Sequence, residues 1–210
     1  MRPITFTLVS SVLVLCACSY FQTATNPDPN HTHADFAVFV DGTKLDFSAP
    51  QYMTTEAQEA TLPPGSIKLF MHLHDGNGHV IHRHKPGLTF GDFFSSIGLK
   101  LTKDCLKIDA HQYASLDAGW KSDFGRTRDL CADGKFHWTM VVNGEEHVFD
   151  PGYVFADSDQ IMLIYDSADI WSDSWKQMTN DACLYSKTCP WRGAAPTESC
   201  IADPTVPCKQ

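Results

Sequence analysis

The chain has 210 residues and a formal charge of −9, from 25 acidic and 16 basic side chains. No basic run, stripe or arginine–aromatic interleaving interrupts the acidic excess, which excludes nucleic acid as an expected partner. The length suits one domain with a substantial core.

Residues 1–17 read as a signal peptide. Met1-Arg2 gives a short positive start, and residues 4–15 are mostly apolar but too few to span a bilayer as a stable anchor. The run ends in Leu15-Cys16-Ala17-Cys18, which resembles the processing box of bacterial lipoproteins. Lipidation of Cys18, and membrane attachment through it, is the preferred expectation; Cys16 is unusual at its position, and plain cleavage is the alternative. Residues 18–30 then form a polar, proline-containing tether. A β-rich, histidine-containing domain is expected over 31–168, and a helix with a Cys-rich tail over 169–210.

Within 31–168, the stretch from Ala34 to Phe47 alternates apolar and polar residues on both sides of Asp41-Gly42, a hairpin signal. Residues 55–61 are weakly helical and are broken by Pro63-Pro64-Gly65. Residues 66–74 and 80–84 form a second expected hairpin. Thr89 caps a short helix over 92–97 that Gly98 ends, with Asp92 at the positive end of its dipole. A strand over 105–109 precedes a polar insertion near 111–128. The strand 136–142 turns at Asn143-Gly144 into 146–149, and residues 160–165 read as a buried strand. Residues 169–179 have the spacing of an amphipathic helix, with Ile170, Trp171, Trp175 and Met178 on one side. The other tryptophans, Trp120, Trp138 and Trp191, are expected in the core or a lid, and Phe93 and Phe94 should pack the helix on the sheet.

Setting Cys16 and Cys18 aside, six cysteines remain: Cys105, Cys131, Cys183, Cys189, Cys200 and Cys208. An even number in an exported chain favours three disulfides. Cys105 with Cys131 is the preferred pair, because the other four cluster in the tail, where the pairing stays open. A zinc knot in the tail is the alternative, but its thiolates would have to stay reduced. There is no Cys-x-x-Cys, so thiol–disulfide chemistry has little support.

The order of elements from about residue 66 suggests an α+β fold, mostly antiparallel β with one short central helix. It looks like a β-grasp (ubiquitin-like) core with a disulfide-tied tail. The Val142-Asn-Gly-Glu145 turn and the stretch Asp157-Ser-Asp-Gln-Ile-Met-Leu-Ile164 resemble the corresponding parts of small β-grasp proteins such as sulfur carriers. Beyond the tether the chain also resembles an uncharacterised family of exported, lipid-anchored bacterial and archaeal proteins. The matching stretches are His31-x-His-Ala-Asp-Phe36, His72-Leu-His-Asp-Gly76, Val80-Ile-His-Arg-His84, Gly91-Asp-Phe-Phe94 and Cys183-Leu-Tyr-Ser-Lys-Thr-Cys-Pro190. Some members of that family are labelled disulfide isomerases. This chain departs from that chemistry by lacking Cys-x-x-Cys, and the activity is not carried over.

The chain holds ten histidines in three His-x-His pairs and four singletons, where chance gives about half a pair and a kept tract points to metal. In a strand, residues two apart face one side, so each pair presents two imidazoles about 7 Å apart at the backbone. Register decides whether the hairpin's pairs converge. A three-residue loop, Asn77-Gly78-His79, would set His74 opposite His82 and His72 opposite His84, with four rings on one face. A two-residue Gly76-Asn77 loop would pair His74 with His79 and turn His82 and His84 away. The three-residue loop is preferred. His31 and His33 could fold over the same face.

Imidazole donors without a free thiol suit zinc or copper(II), then nickel. Asp75 and Asp35 could ligate, or accept the second ring N–H of a bound histidine. His79 is expected at the loop tip, Met71 in the core, and His111, His137 and His147 at surface or satisfied core positions. The leading expectation is a metal-binding protein for capture, buffering or delivery of zinc or copper, and not an enzyme. A metal-dependent hydrolase or oxidoreductase is the alternative, but the chain has no His-Glu-x-x-His and no nucleophile elbow. A pH-responsive histidine cluster and an envelope module that binds another protein are further readings.

Overall fold

The computed structural model describes residues 24–116, 129–168 and 171–197. The expected signal segment, Cys18, most of the tether, residues 117–128 of the insertion with Trp120, Ile170, Cys200 and Cys208 lie outside them. The fold is α+β. Its strands are β1 (Thr32–Val40), β2 (Thr43–Lys44), β3 (Met71–His72), β4 (Val80–Arg83), β5 (Lys100–Leu101), β6 (Cys105–Lys107), β7 (Asp129–Cys131), β8 (His137–Val142), β9 (Glu145–His147) and β10 (Asp159–Asp166). The short helices are α1 (Glu56–Glu59), α2 (Phe90–Ser96), α3 (Ala110–Ser115), α4 (Ser172–Trp175) and α5 (Ala182–Tyr185).

A seven-stranded sheet runs β3-β4-β1-β10-β8-β9, with β2 also paired to β1, and a second sheet runs β5-β6-β7. The β1–β10 pair is parallel and the other ladders are antiparallel. The sheet expected from about residue 66 therefore has β1, far upstream, at its centre. Asp41-Gly42 and Asn143-Gly144 turn their hairpins with positive φ at both residues, the requirement of a two-residue type I′ loop.

Alternation along each strand divides the large sheet into two faces. Ala34, Phe36, Val38, Met71, Leu73, Ile81, Met140, Ile161 and Leu163 enter the main core. There α2 packs across them, Phe93 edge-on to Phe36 at 4.7 Å between ring centroids. Thr89 caps α2 in a capping box with Asp92, and the helix starts two residues and ends one residue earlier than the sequence suggests. Met71 is in this core as expected.

The opposite face carries a smaller apolar cluster of Ala37, Phe39, Val141, Met162 and Ile164, covered by Trp171, Trp175 and Met178. Of the amphipathic helix expected over 169–179, the described residues from 171 onward form only the single turn of α4. Its aromatic side chains still reach the sheet, so packing rather than helical propensity fixes them there. Two disulfides close among the described residues. Cys105–Cys131 joins directly paired positions of β6 and β7, and Cys183–Cys189 staples the tail around α5. They fit an oxidising compartment. No helix of the described residues is long and apolar enough to cross a membrane.

Candidate metal centre

The second hairpin does not turn at Asn77-Gly78-His79. Asp75 and Gly76 both have positive φ, and the Asn77 amide donates to the His74 carbonyl at 3.0 Å, so the bend is centred on Asp75-Gly76. Gly78 serves a different purpose. A Cβ there would sit 2.3 Å from the Ser48 backbone nitrogen, so only glycine lets the two segments pass. The loop is longer than expected, and the ladder pairs Met71 with Arg83 and His72 with His82. Compared with the expected His72–His84 pairing, the register has moved by two residues. An even shift keeps every side chain on its face.

The same face continues onto β1, where His33 is the register partner of His82. His33, His82 and His72 thus form one row across three adjacent strands. His31 and His84 lie next to it, their rings stacked at 4.1 Å, and His74 lies over His82 at 3.9 Å. His72 and His84 rings are 5.0 Å apart, and those of His33 and His82 4.7 Å. His33, His72, His74, His82 and His84 are buried and His31 is half-buried. One ring nitrogen from each of His31, His33 and His82 falls within 4.8 Å of the others, so this group could hold a metal ion. Tetrahedral imidazoles bound at about 2.0–2.1 Å would need comparable spacing.

Hydrogen bonds fix which nitrogen three of these rings offer. Asp75, an acceptor as the carboxylate, takes the Nδ1 hydrogen of His74 at 2.7 Å. The Lys68 carbonyl takes that of His72 at 2.9 Å. Ser186 donates its hydroxyl hydrogen to Asp157 at 2.6 Å, so it accepts from His33 Nδ1 at 2.7 Å. Each ring is held in the Nδ1–H form, and two of them turn the Nε2 lone pair to another imidazole: His33 Nε2 is 3.0 Å from His31 Nε2, and His74 Nε2 is 3.2 Å from His82 Nδ1. Oxygen acceptors behind ligating histidines orient the ring and raise its basicity. Burial, reinforced by the neighbouring histidines, holds the imidazoles of His82 and His84 well below their ordinary value. Neutral imidazole is the form that binds a metal. Both ring nitrogens of His84 are buried without a hydrogen bond.

The expected site residues divide as follows. The structure brings together His31, His33, His72, His74, His82 and His84, with Asp75 behind His74. Asp35 faces the tail instead. It accepts from Thr179 Oγ1 and from the amides of Asp181 and Ala182, and burial raises its carboxyl despite these bonds. An acid at that point holds the start of α5. His79 is not a free loop tip, because its Nε2 lies 3.1 Å from Asp181. Asp35, His79 and Asp181 form a second group of metal-type spacing. Arg192 already pairs with Asp181, however, and the tail's donors occupy both Asp35 oxygens.

The tail supplies what the sequence reading missed. Tyr185 packs on His82 and His33 at 5.0 and 5.5 Å and accepts from the Asn77 amide group, while Ser186 follows it in the chain. The motif Cys183-Leu-Tyr-Ser-Lys-Thr-Cys189 was the available signal, since it brackets both residues within the disulfide. An open cleft of about 350 Å³ lined by Met53, Thr55, Glu59, His74 and Asp75 connects the cluster's edge to solvent. The chain matches no family model, no curated protein and no solved structure.

Proposed function

We propose that the protein is an exported, lipid-anchored metal-binding protein that captures, buffers or delivers zinc or copper. The observation that carries this reading is the buried imidazole cluster in which His33, His72 and His74 are each locked at Nδ1 by an oxygen acceptor, with Nε2 of His33 and His74 turned to neighbouring imidazoles. Six imidazoles, with the nearby cysteines tied in a disulfide, make an all-nitrogen donor set. That set suits zinc or copper(II) and not calcium or magnesium, which take oxygen ligands. The bound cation would be held by these histidines, while Asp75 and Asp157 offset its charge through His74 and through Ser186 to His33.

Export and anchoring are supported by the signal-like segment, the lipoprotein-type box at Cys18, the disulfides and the resemblance to exported prokaryotic proteins. The same reading takes the large sheet as a β-grasp core. Its first and last strands are the central parallel pair, antiparallel neighbours flank them, and one helix crosses a face.

Metal analysis of the purified protein after zinc loading and dialysis tests the proposal. Stoichiometric zinc is expected, lost when His72, His74, His82 and His84 are all replaced by Ala. Ser186→Ala keeps every ligand and should weaken affinity about 10- to 100-fold. Substoichiometric metal that is insensitive to these changes would refute the reading. The cleft favours a second reading, metal-dependent hydrolysis. Its lining includes both His74 and Glu59, whose carboxyl is pushed up to about 7 chiefly by burial. A proton carrier near neutrality beside an open metal position is what such a reaction needs. Loss of ester hydrolysis in Glu59→Gln with full metal content would favour it.

A further inference from the structure

His82 occupies a position that no other histidine in the cluster shares. It sits on β4 between two strands, and the register partner on each side is itself a histidine, His33 on β1 and His72 on β3. Its ring is fully buried and has neighbours on both sides: His33 at 4.7 Å and His31 at 6.0 Å, then His74 at 3.9 Å and His72 at 6.0 Å. Its Nδ1 faces His74 Nε2 at 3.2 Å, while a ring nitrogen of His82 also falls within 4.8 Å of donors on both His31 and His33.

The supports are divided in the same way. His33 leans on Asp157 through Ser186, and His74 leans on Asp75, so each flank of His82 has its own carboxylate. A single ion would leave the histidines of the far flank idle. His84, stacked on His31 and 5.0 Å from His72, stands where either flank could use it.

We propose that the cluster is a two-metal site in which His82 bridges. His31 and His33 with one nitrogen of His82 bind the first cation; His72 and His74 with the other nitrogen bind the second. This inference rests on the metal-binding reading above and adds its stoichiometry and its bridge. His74 Nε2 carries no hydrogen, because Nδ1 holds it against Asp75, so His82 Nδ1 carries the hydrogen between the two rings. When the second metal–nitrogen bond forms, that N–H bond breaks and the proton passes to solvent. The bridge becomes an imidazolate, with no change in oxidation state. The negative charge left on the imidazolate, together with Asp75 and Asp157, then offsets the charge of the two divalent cations.

Copper(II) is the probe, because a bridging imidazolate couples two unpaired electrons antiferromagnetically. The full chain is titrated with copper(II), and bound metal and electron paramagnetic resonance intensity are measured together. Binding of two coppers per chain is expected, with the signal rising through the first equivalent and falling through the second. His74→Ala keeps the bridge residue but removes a ligand of one flank, and should bind one copper with full signal. His82→Gln should lose the coupling; circular dichroism reports whether it folds, and if it does not, the wild-type signal decides. Two bound coppers with undiminished signal would overturn the bridge, and saturation at one copper would overturn the second site while leaving metal binding intact. Binding of none would overturn the metal reading itself.

Discussion

His82 and His84 each oppose protonation in the folded chain. Both imidazoles sit below their ordinary value, with burial the largest cause. An unfolded histidine takes a proton near pH 6.5. Below that pH the unfolded chain therefore binds more protons than the folded one, and stability falls as pH falls. Above pH 6.5 the two states carry the same proton count at these residues, and their contribution is constant. For the metal-free protein we predict urea unfolding that is flat with pH from about 8 to 7 and then loses stability below 6.5. The slope should approach about 1.4 kcal/mol per pH unit for each of the two histidines. A midpoint unchanged between pH 7.5 and 5.5 would show that the rings are not buried neutral. At neutral pH the same burial leaves lone pairs ready, so no proton has to be displaced from His84 before a cation binds.

At the scale of elements, the tail α5 matters more to the site than its length suggests. One turn of helix brings Tyr185 onto His82 and His33 and Ser186 onto His33, and Asp35 on β1 holds its amino end. The Cys183–Cys189 bond, between cysteines only six apart in sequence, closes a loop around these residues. A helix this short is not stable alone, so its order comes from the disulfide and from docking. Cys183→Ser with Cys189→Ser should therefore loosen the cover and leave the sheet intact. We predict about tenfold faster zinc release, the low end for loss of an orienting partner, together with faster amide exchange over residues 182–186. An unchanged release rate would mean that the tail takes no part in holding the site.

Across the whole molecule, the features legible in the sequence are local ones. Period-two spacing placed each His-x-His on one face, and Asp41-Gly42 and Asn143-Gly144 marked their turns because type I′ geometry demands positive φ at both residues. The third turn was obscured by two glycines, Gly76 and Gly78, with different duties. One permits the bend, while the other lets residues 47–48 pass. Parity, rather than loop length, protected the site from that misreading. The meeting of His33 with His82 on β4 and with Ser186 in the tail left no local trace. The second of these contacts spans 153 residues. Such pairings are set by which strand lies next to which, and alternation within one strand carries no information about its neighbour. The tail cysteines were visible, but neither the pairing of Cys183 with Cys189 nor what their loop delivers to the sheet was.

The six histidines are proposed to hold a metal. Anomalous diffraction from crystals of the zinc-loaded protein, collected on both sides of the zinc edge, tests it most directly. Strong peaks are expected within about 2.0–2.1 Å of imidazole nitrogens, among His31, His33, His72, His74, His82 and His84. A peak confined to Asp35, His79 and Asp181, or no peak at all, would contradict it.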